Sequence, residues 1–284
     1  MLASVEYRVF SKTGVKVSII GMGTYYDPGW IILSRLGIRP GYERKLRALR
    51  VGLEGGINFI DTAEIYGSEP LVGEAIKDFN REELFIATKV WPTHLKYDDV
   101  IKAAKRSLER LGVKYIDLYQ VHFPNRRVPI TETMRAMEYL VDNGLIRFIG
   151  LSNFSLDQII EAQNALKKYE IVSIQMPYSL MDRRIENDII PYAKKNGMAV
   201  IAYYPLGHGK LISRFPRDAL EMIGRNHGQK TVAQIVLNWI ISKHEHVFPI
   251  PRASNPNHVR ENLGVAGWRL TDEEIRYLEG IRFS

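Results

Sequence analysis

The chain has 284 residues, 45% of them hydrophobic and 25% charged, and no cysteine. That is a globular composition with enough apolar material for a substantial core, and it excludes disulfides and thiolate-bound metals. The 39 basic and 32 acidic side chains leave a formal net charge of +7, which admits an anionic partner without choosing one.

The N-terminal residues contain no long apolar core or small-residue cleavage pattern, and no stretch approaches the length of a membrane span. A cytoplasmic protein without membrane contact is expected. "YRVFSKTGVKVSII" reads as two short extended runs around a turn, and "VSIIGMG" (17–23) as the first of eight apolar, β-branched strands. The connection after it, "TYYDPGWIILSRLGIRPGY", is much longer than the usual few residues and suggests a functional flap. Arg44, Lys45, Arg47 and Arg50 then alternate with Leu46, Leu49 and Val51 at helical spacing. A solvated helix face is expected in preference to a nucleic-acid patch, since no nucleic-acid motif accompanies it.

The remaining strands are expected at 57–61, 84–89, 116–122, 146–152, 171–176, 198–203 and 247–250. Amphipathic segments such as "YDDVIKAAKRSLERLG" and "PITETMRAMEYLVDNG" lie between them, several ending in Gly, as helix C-termini prefer. Continuous apolar strands joined by crossover helices imply a parallel sheet covered on its outer side. Eight units without a linker or composition shift predict one (β/α)8 TIM-barrel domain over 1–284, with the opening β-hairpin at its base.

In such a barrel the C-terminal strand ends form the active face. Asp61 closes the second strand, Lys89 the third and His122 the fourth, and Tyr66 follows in the loop after the second. A phenol is a poor acid at neutral pH unless a neighbouring cation lowers its pKa, so Lys89 beside Tyr66 would make a usable general acid. Asp61 could pair with the buried ammonium, and His122 could donate to a carbonyl oxygen. Each residue alone has a structural explanation, but their meeting at one mouth points to protonation of an oxygen that becomes an alkoxide. A barrel hydrolase would need paired carboxylates across the mouth, and only Asp61 is so placed. "HEH" (244–246) begins the eighth strand, away from the active face and without a third ligand, so no metal is expected.

The pieces "GINFIDTAEIYGSEPLVGEAI", "FIATKVW", "DLYQVHFP", "IGLSNF", "IQMPYSL", "AYYPLG" and "IPRASNPNHVREN" resemble, in order, the motifs of the aldo-keto reductases. The resemblance spans nearly the whole chain. It implies a barrel that binds a nicotinamide cofactor in extended form, in keeping with the lack of any G-x-G-x-x-G after a strand. It carries a catalytic tetrad onto Asp61, Tyr66, Lys89 and His122, with Tyr66 as acid for hydride transfer to an aldehyde or ketone.

For the cofactor, the resemblance implies Ser152, Asn153 and Gln175 at the carboxamide and Tyr203 stacked on the nicotinamide. It places Pro205, Leu206, Gly207 and Lys210 at the pyrophosphate, and Arg252 at the 2′-phosphate. Gly23, Thr24, Tyr25, Asp61, Ile250, Ala253 and Ser254 also belong to its cofactor set, and Glu261 and Asn262 to the adenine end. Arg252 favours NADPH, while His258, standing where NADPH-dependent relatives often have Arg, keeps NADH as an alternative. Tyr25, Trp30, Tyr66, Trp91 and His122 would line the substrate pocket, which the near absence of a C-terminal extension leaves open. The alternative function is a cofactor-binding regulatory protein on the same scaffold, with little turnover.

Overall fold

The computed structural model describes residues 5–282. It opens with an antiparallel hairpin, β1 (Tyr7–Val9) and β2 (Lys16–Ser18), whose connection includes Gly14 in the left-handed region at φ 72°. Eight parallel strands follow: β3 (Met22–Gly23), β4 (Phe59–Asp61), β5 (Phe85–Val90), β6 (Ile116–Val121), β7 (Ile146–Ser152), β8 (Ile171–Pro177), β9 (Ala199–Tyr203) and β10 (Val247–Pro249). Each pairs with the next in sequence. The ring closes where Gly21 N–H donates to the Pro249 carbonyl at 2.9 Å, Gly23 N–H to that of Pro251 at 3.0 Å, and Ala253 N–H back to that of Gly23 at 2.9 Å. The fold is the expected (β/α)8 barrel.

One expected strand is divided. Residues 17–23 serve two sheets, because β2 ends at Ser18, whose N–H is taken by Asn58 Oδ1 at 2.8 Å, and the chain must reach Met22 before it joins the barrel. Gly21 lies at the crossing, where a Cβ would stand 2.8 Å from the Phe59 ring and 2.9 Å from Ile250 Cγ2.

Helices cover the outside of the ring, including Tyr42–Glu54, Tyr97–Leu111, Ile130–Asp142, Leu156–Ala165 and Val232–Lys243. The last two begin at capping boxes, Ser155 with Gln158 and Thr231 with Gln234, each satisfying otherwise orphaned N–H groups. Arg8 of the hairpin donates to the Ile241 carbonyl at 2.9 Å and so caps the C-terminal end of Val232–Lys243.

Strand side chains alternate between the barrel axis and the helices, so inward positions recur every second residue. At the base three of them, on β4, β5 and β10, are phenylalanines. Phe59, Phe85 and Phe248 surround Phe10 of the hairpin with ring centroids 5.8, 4.8 and 5.2 Å from its own, and all four are buried. Burying each contributes on the order of 1.5–3 kcal/mol and plugs the barrel from below. Two residues beyond Phe59, four beyond Phe85 and two beyond Leu118, the same face carries Asp61, Lys89 and Gln120, also buried. The polarity of the interior therefore reverses from base to mouth.

Candidate active site

Asp61 ends β4 and Lys89 lies on β5, so the two reach the same level of the mouth. Lys89 Nζ donates to Asp61 Oδ2 at 2.5 Å and to the Thr62 carbonyl at 2.8 Å, with both side chains almost fully buried. Two charges removed from water persist only when their remaining hydrogen-bonding positions are filled. Gln175 Nε2 fills Asp61 Oδ1 at 2.7 Å, and Gln120 Nε2 approaches the same atom at 3.3 Å. Burial pushes the Lys89 ammonium down, against the upward pull of Asp61.

Tyr66 closes a 3-10 turn, Glu64–Tyr66, which Gly67 ends in the left-handed region at φ 69°. Its hydroxyl lies 3.3 Å from Nε2 of His122, which directly follows β6. The expectation that Lys89 lowers the Tyr66 pKa is not met. The ammonium lies 5.1 Å from the ring centroid and is paired with Asp61, while burial and the Asp61 carboxylate hold the phenol well above its ordinary value. Burial, and secondarily Lys89, push His122 down to about 2, so its imidazole is neutral at physiological pH. Among the described residues His122 Nδ1 is buried without a partner. A proton there would be an unpaired donor, so the tautomer that leaves Nε2 as donor toward the mouth is the less costly one.

A continuous groove of about 1510 Å³ runs from these side chains past Ser152, Asn153, Gln175 and Tyr203 to Arg252, Ser254, His258, Glu261 and Asn262. Asn153, at φ 63°, uses its side chain to tie the walls together. Its Nδ2 donates to the His122 carbonyl and to Ser152 Oγ, both at 3.0 Å, and its Oδ1 accepts from Tyr203 at 2.7 Å. At the far end Asn255 Oδ1 caps the helix Pro256–Leu263, and Arg252 Nη1 donates to the Tyr26 carbonyl at 2.8 Å. Most of the guanidinium's five donors remain for another ligand. Length, an exposed guanidinium and polar side chains near the inner end suit an extended dinucleotide.

Gly23, Tyr25, Ile250, Pro205 and Leu206 also border the groove. Thr24 and Ala253 lie behind it, with the Thr24 hydroxyl donating to the Asp61 carbonyl at 3.0 Å and Ala253 N–H engaged by Gly23. In the "PLGHGK" loop it is His208 and Gly209, rather than Gly207 and Lys210, that face the groove. Gly207 N–H is used by the Tyr204 carbonyl at 2.9 Å.

Trp91 meets His122 edge-on at 5.2 Å and stands in the wall as expected. Trp30 does not. The long first connection forms a helix, Pro28–Arg35, N-capped by Asp27, and turns Trp30 inward. There it is 1% exposed, packed on Tyr26 with the Lys45 ammonium 4.5 Å from its ring centroid. Ile31 of the same helix faces the groove instead.

A profile of the aldo/keto reductase family matches residues 20–282. The chain belongs to the aldo/keto reductase family. It is 34% identical to methylglyoxal reductase YeaE of Escherichia coli, over 93% of this chain and 91% of that protein. To the glyoxal reductase of Bacillus subtilis it is 32% identical, over 89% and 88%. An aldo/keto reductase from Klebsiella pneumoniae, solved in complex with NADP and acetate, has a similar fold, with a TM-score of 0.83 and 32% identity over 98% and 94% of the two chains.

This reductase also has a second long connection that sequence reasoning passed over. Between β9 and the helix Val232–Lys243 lie two further helices, Lys210–Arg214 and Arg217–Asn226, and Ile212, Leu220 and Arg225 on them border the groove. Its length was the available signal. Tyr204 and Phe123, each following an expected site residue, complete the aromatic wall.

Proposed function

We propose that this protein reduces the carbonyl group of small aldehydes and ketones with NADPH, with Tyr66 delivering the proton. The observation that carries the reading is the meeting of Tyr66, His122 and the buried Asp61–Lys89 pair at the inner end of one long groove. The reduced nicotinamide, when bound, supplies hydride to the carbonyl carbon. Ser152, Asn153 and Gln175 would hold its carboxamide, Tyr203 would flank the ring, and Arg252 with His258 would meet the 2′-phosphate. NADP and NADPH bound by two Klebsiella pneumoniae relatives support the choice of cofactor.

The substrate oxygen would lie between His122 and Tyr66. Neutral His122 orients it by donating from Nε2 and stabilises the charge that develops there. Tyr66 then gives up its proton. Because an alkoxide is a stronger base than a phenolate, the transfer is favourable even from a phenol whose pKa burial has raised. Lys89, whose ammonium lies 5.1 Å from the Tyr66 ring centroid, is a cation close to the phenolate left behind, and Asp61 keeps it in place.

Tyr25, Ile31, Ile65, Trp91 and Phe123 make the surrounding wall largely apolar, which suits compact uncharged carbonyl compounds. With glyoxal and methylglyoxal reductases among the relatives, 1,2-dicarbonyls are the first substrates to try. Carbonyl-dependent NADPH oxidation across an aldehyde panel tests the function. Tight NADPH binding with no turnover on any member would sink it.

A further inference from the structure

Gln120 lies on β6 opposite Lys89 in the pairing with β5 and is fully buried. Its Nε2 approaches Asp61 Oδ1 at 3.3 Å, and its Oε1 accepts from Gln175 Nε2 at 3.4 Å. Gln175 Nε2 also donates to Asp61 Oδ1 at 2.7 Å. Asp61, ion-paired with Lys89, can only accept, so both amides must turn their nitrogens toward it. For Gln175, which borders the groove, Oε1 is the amide atom opposite the nitrogen held by Asp61 and Gln120, and among the described residues it takes no hydrogen bond. Flipping that amide would set oxygen against oxygen twice, once at Asp61 and once at Gln120.

The chain makes room for this arrangement. Gly150 on β7 faces the same interior layer, where a Cβ would stand 2.9 Å from Gln120 Cγ and 2.7 Å from Ser173 Oγ. A side chain at position 150 would thus displace Gln120 from its two partners. Out of reach of water, a buried amide costs stability unless both of its ends are used.

We propose that Gln120 is a positioning residue: with Asp61 it locks the Gln175 amide so that an acceptor oxygen faces the groove. The site then selects a pyridine carboxamide, which offers N–H donors, over a ring substituent that offers only a carbonyl. This rests on the NADPH reading above and extends it to a residue that touches neither cofactor nor substrate.

The test compares binding of NADP with that of its 3-acetylpyridine analogue, which keeps the carbonyl and lacks the amide N–H groups, using quenching of protein fluorescence. Wild-type protein should bind the carboxamide form about tenfold more tightly or better, since a lone buried acceptor is left unpaired by the analogue. Gln120→Met should narrow that ratio by about threefold to tenfold through weaker carboxamide binding, the scale of one lost hydrogen bond. Gln120→Asn, a methylene short of both partners, should do the same and serves if the Met variant does not fold. A wild-type ratio near one, or a ratio unchanged in the variants, overturns the proposal while leaving the reductase intact. Failure of wild-type protein to bind either dinucleotide overturns the reductase reading and the proposal together.

Discussion

Lys89 Nζ lies 2.5 Å from Asp61 Oδ2 inside the barrel mouth, and neither side chain has appreciable contact with solvent. Such a pair is costly to break from one side and cheap to replace as a whole. Removing one partner of a buried ion pair typically costs about 3–5 kcal/mol, because the other charge stays buried and uncompensated. Lys89→Met and Asp61→Asn should each destabilise the protein on that scale in urea unfolding. The double variant should recover much of the loss yet remain inactive. Additive losses in the double variant would show that the two charges do not stabilise one another.

Acid should weaken the fold through His122. Burial and Lys89 bring its pKa down to about 2, whereas an unfolded histidine titrates near 6.5. Between those values the unfolded chain holds the proton and the folded one does not. The stability that depends on the neutral ring is complete above about pH 6.5 and falls by about 1.4 kcal/mol per pH unit below it. His244, brought down to about 4 by burial, adds a loss of the same sign over the upper part of that window. From pH 6.5 to 5, His122→Asn should lose about 2 kcal/mol less stability than the wild type. An equal acid dependence in the two proteins would remove His122 from this effect.

Arg252 connects the far end of the groove to the first flap through the Tyr26 carbonyl. Exchange of the guanidinium for a methyl group removes a charged donor from the expected 2′-phosphate position. Arg252→Ala should raise the Kd for NADPH by roughly 10–100-fold, the range of a hydrogen bond to a charged group, and that for NADH by less than about threefold. Parallel losses for the two cofactors would place Arg252 away from the 2′-phosphate.

The barrel was legible because its strands are continuous apolar runs between amphipathic helices, and reading strand ends brought Asp61, Lys89 and His122 to one face. Residues 17–23 were less legible, since an unbroken apolar run carries no mark where the chain leaves β2 for β3. Trp30 lay on a helix with apolar residues on more than one side, and contacts distant from its own turn, including those with Tyr26 and Lys45, accompany its inward orientation. The pKa of Tyr66 failed for a related reason. Proximity of an ammonium can be inferred from strand order, but the depth of burial and the prior claim of Asp61 on that ammonium emerge only from packing.

Tyr66→Phe probes the proposed delivery of a proton from Tyr66 to the carbonyl oxygen, because the substitution removes one hydroxyl and keeps the ring. Carbonyl reduction measured beside NADPH affinity by fluorescence should show kcat lowered by about 10²–10⁴-fold, the usual contribution of a general acid, with the Kd for NADPH changed by less than about threefold. Retention of wild-type kcat in Tyr66→Phe, with NADPH still bound, would rule out Tyr66 as the proton donor.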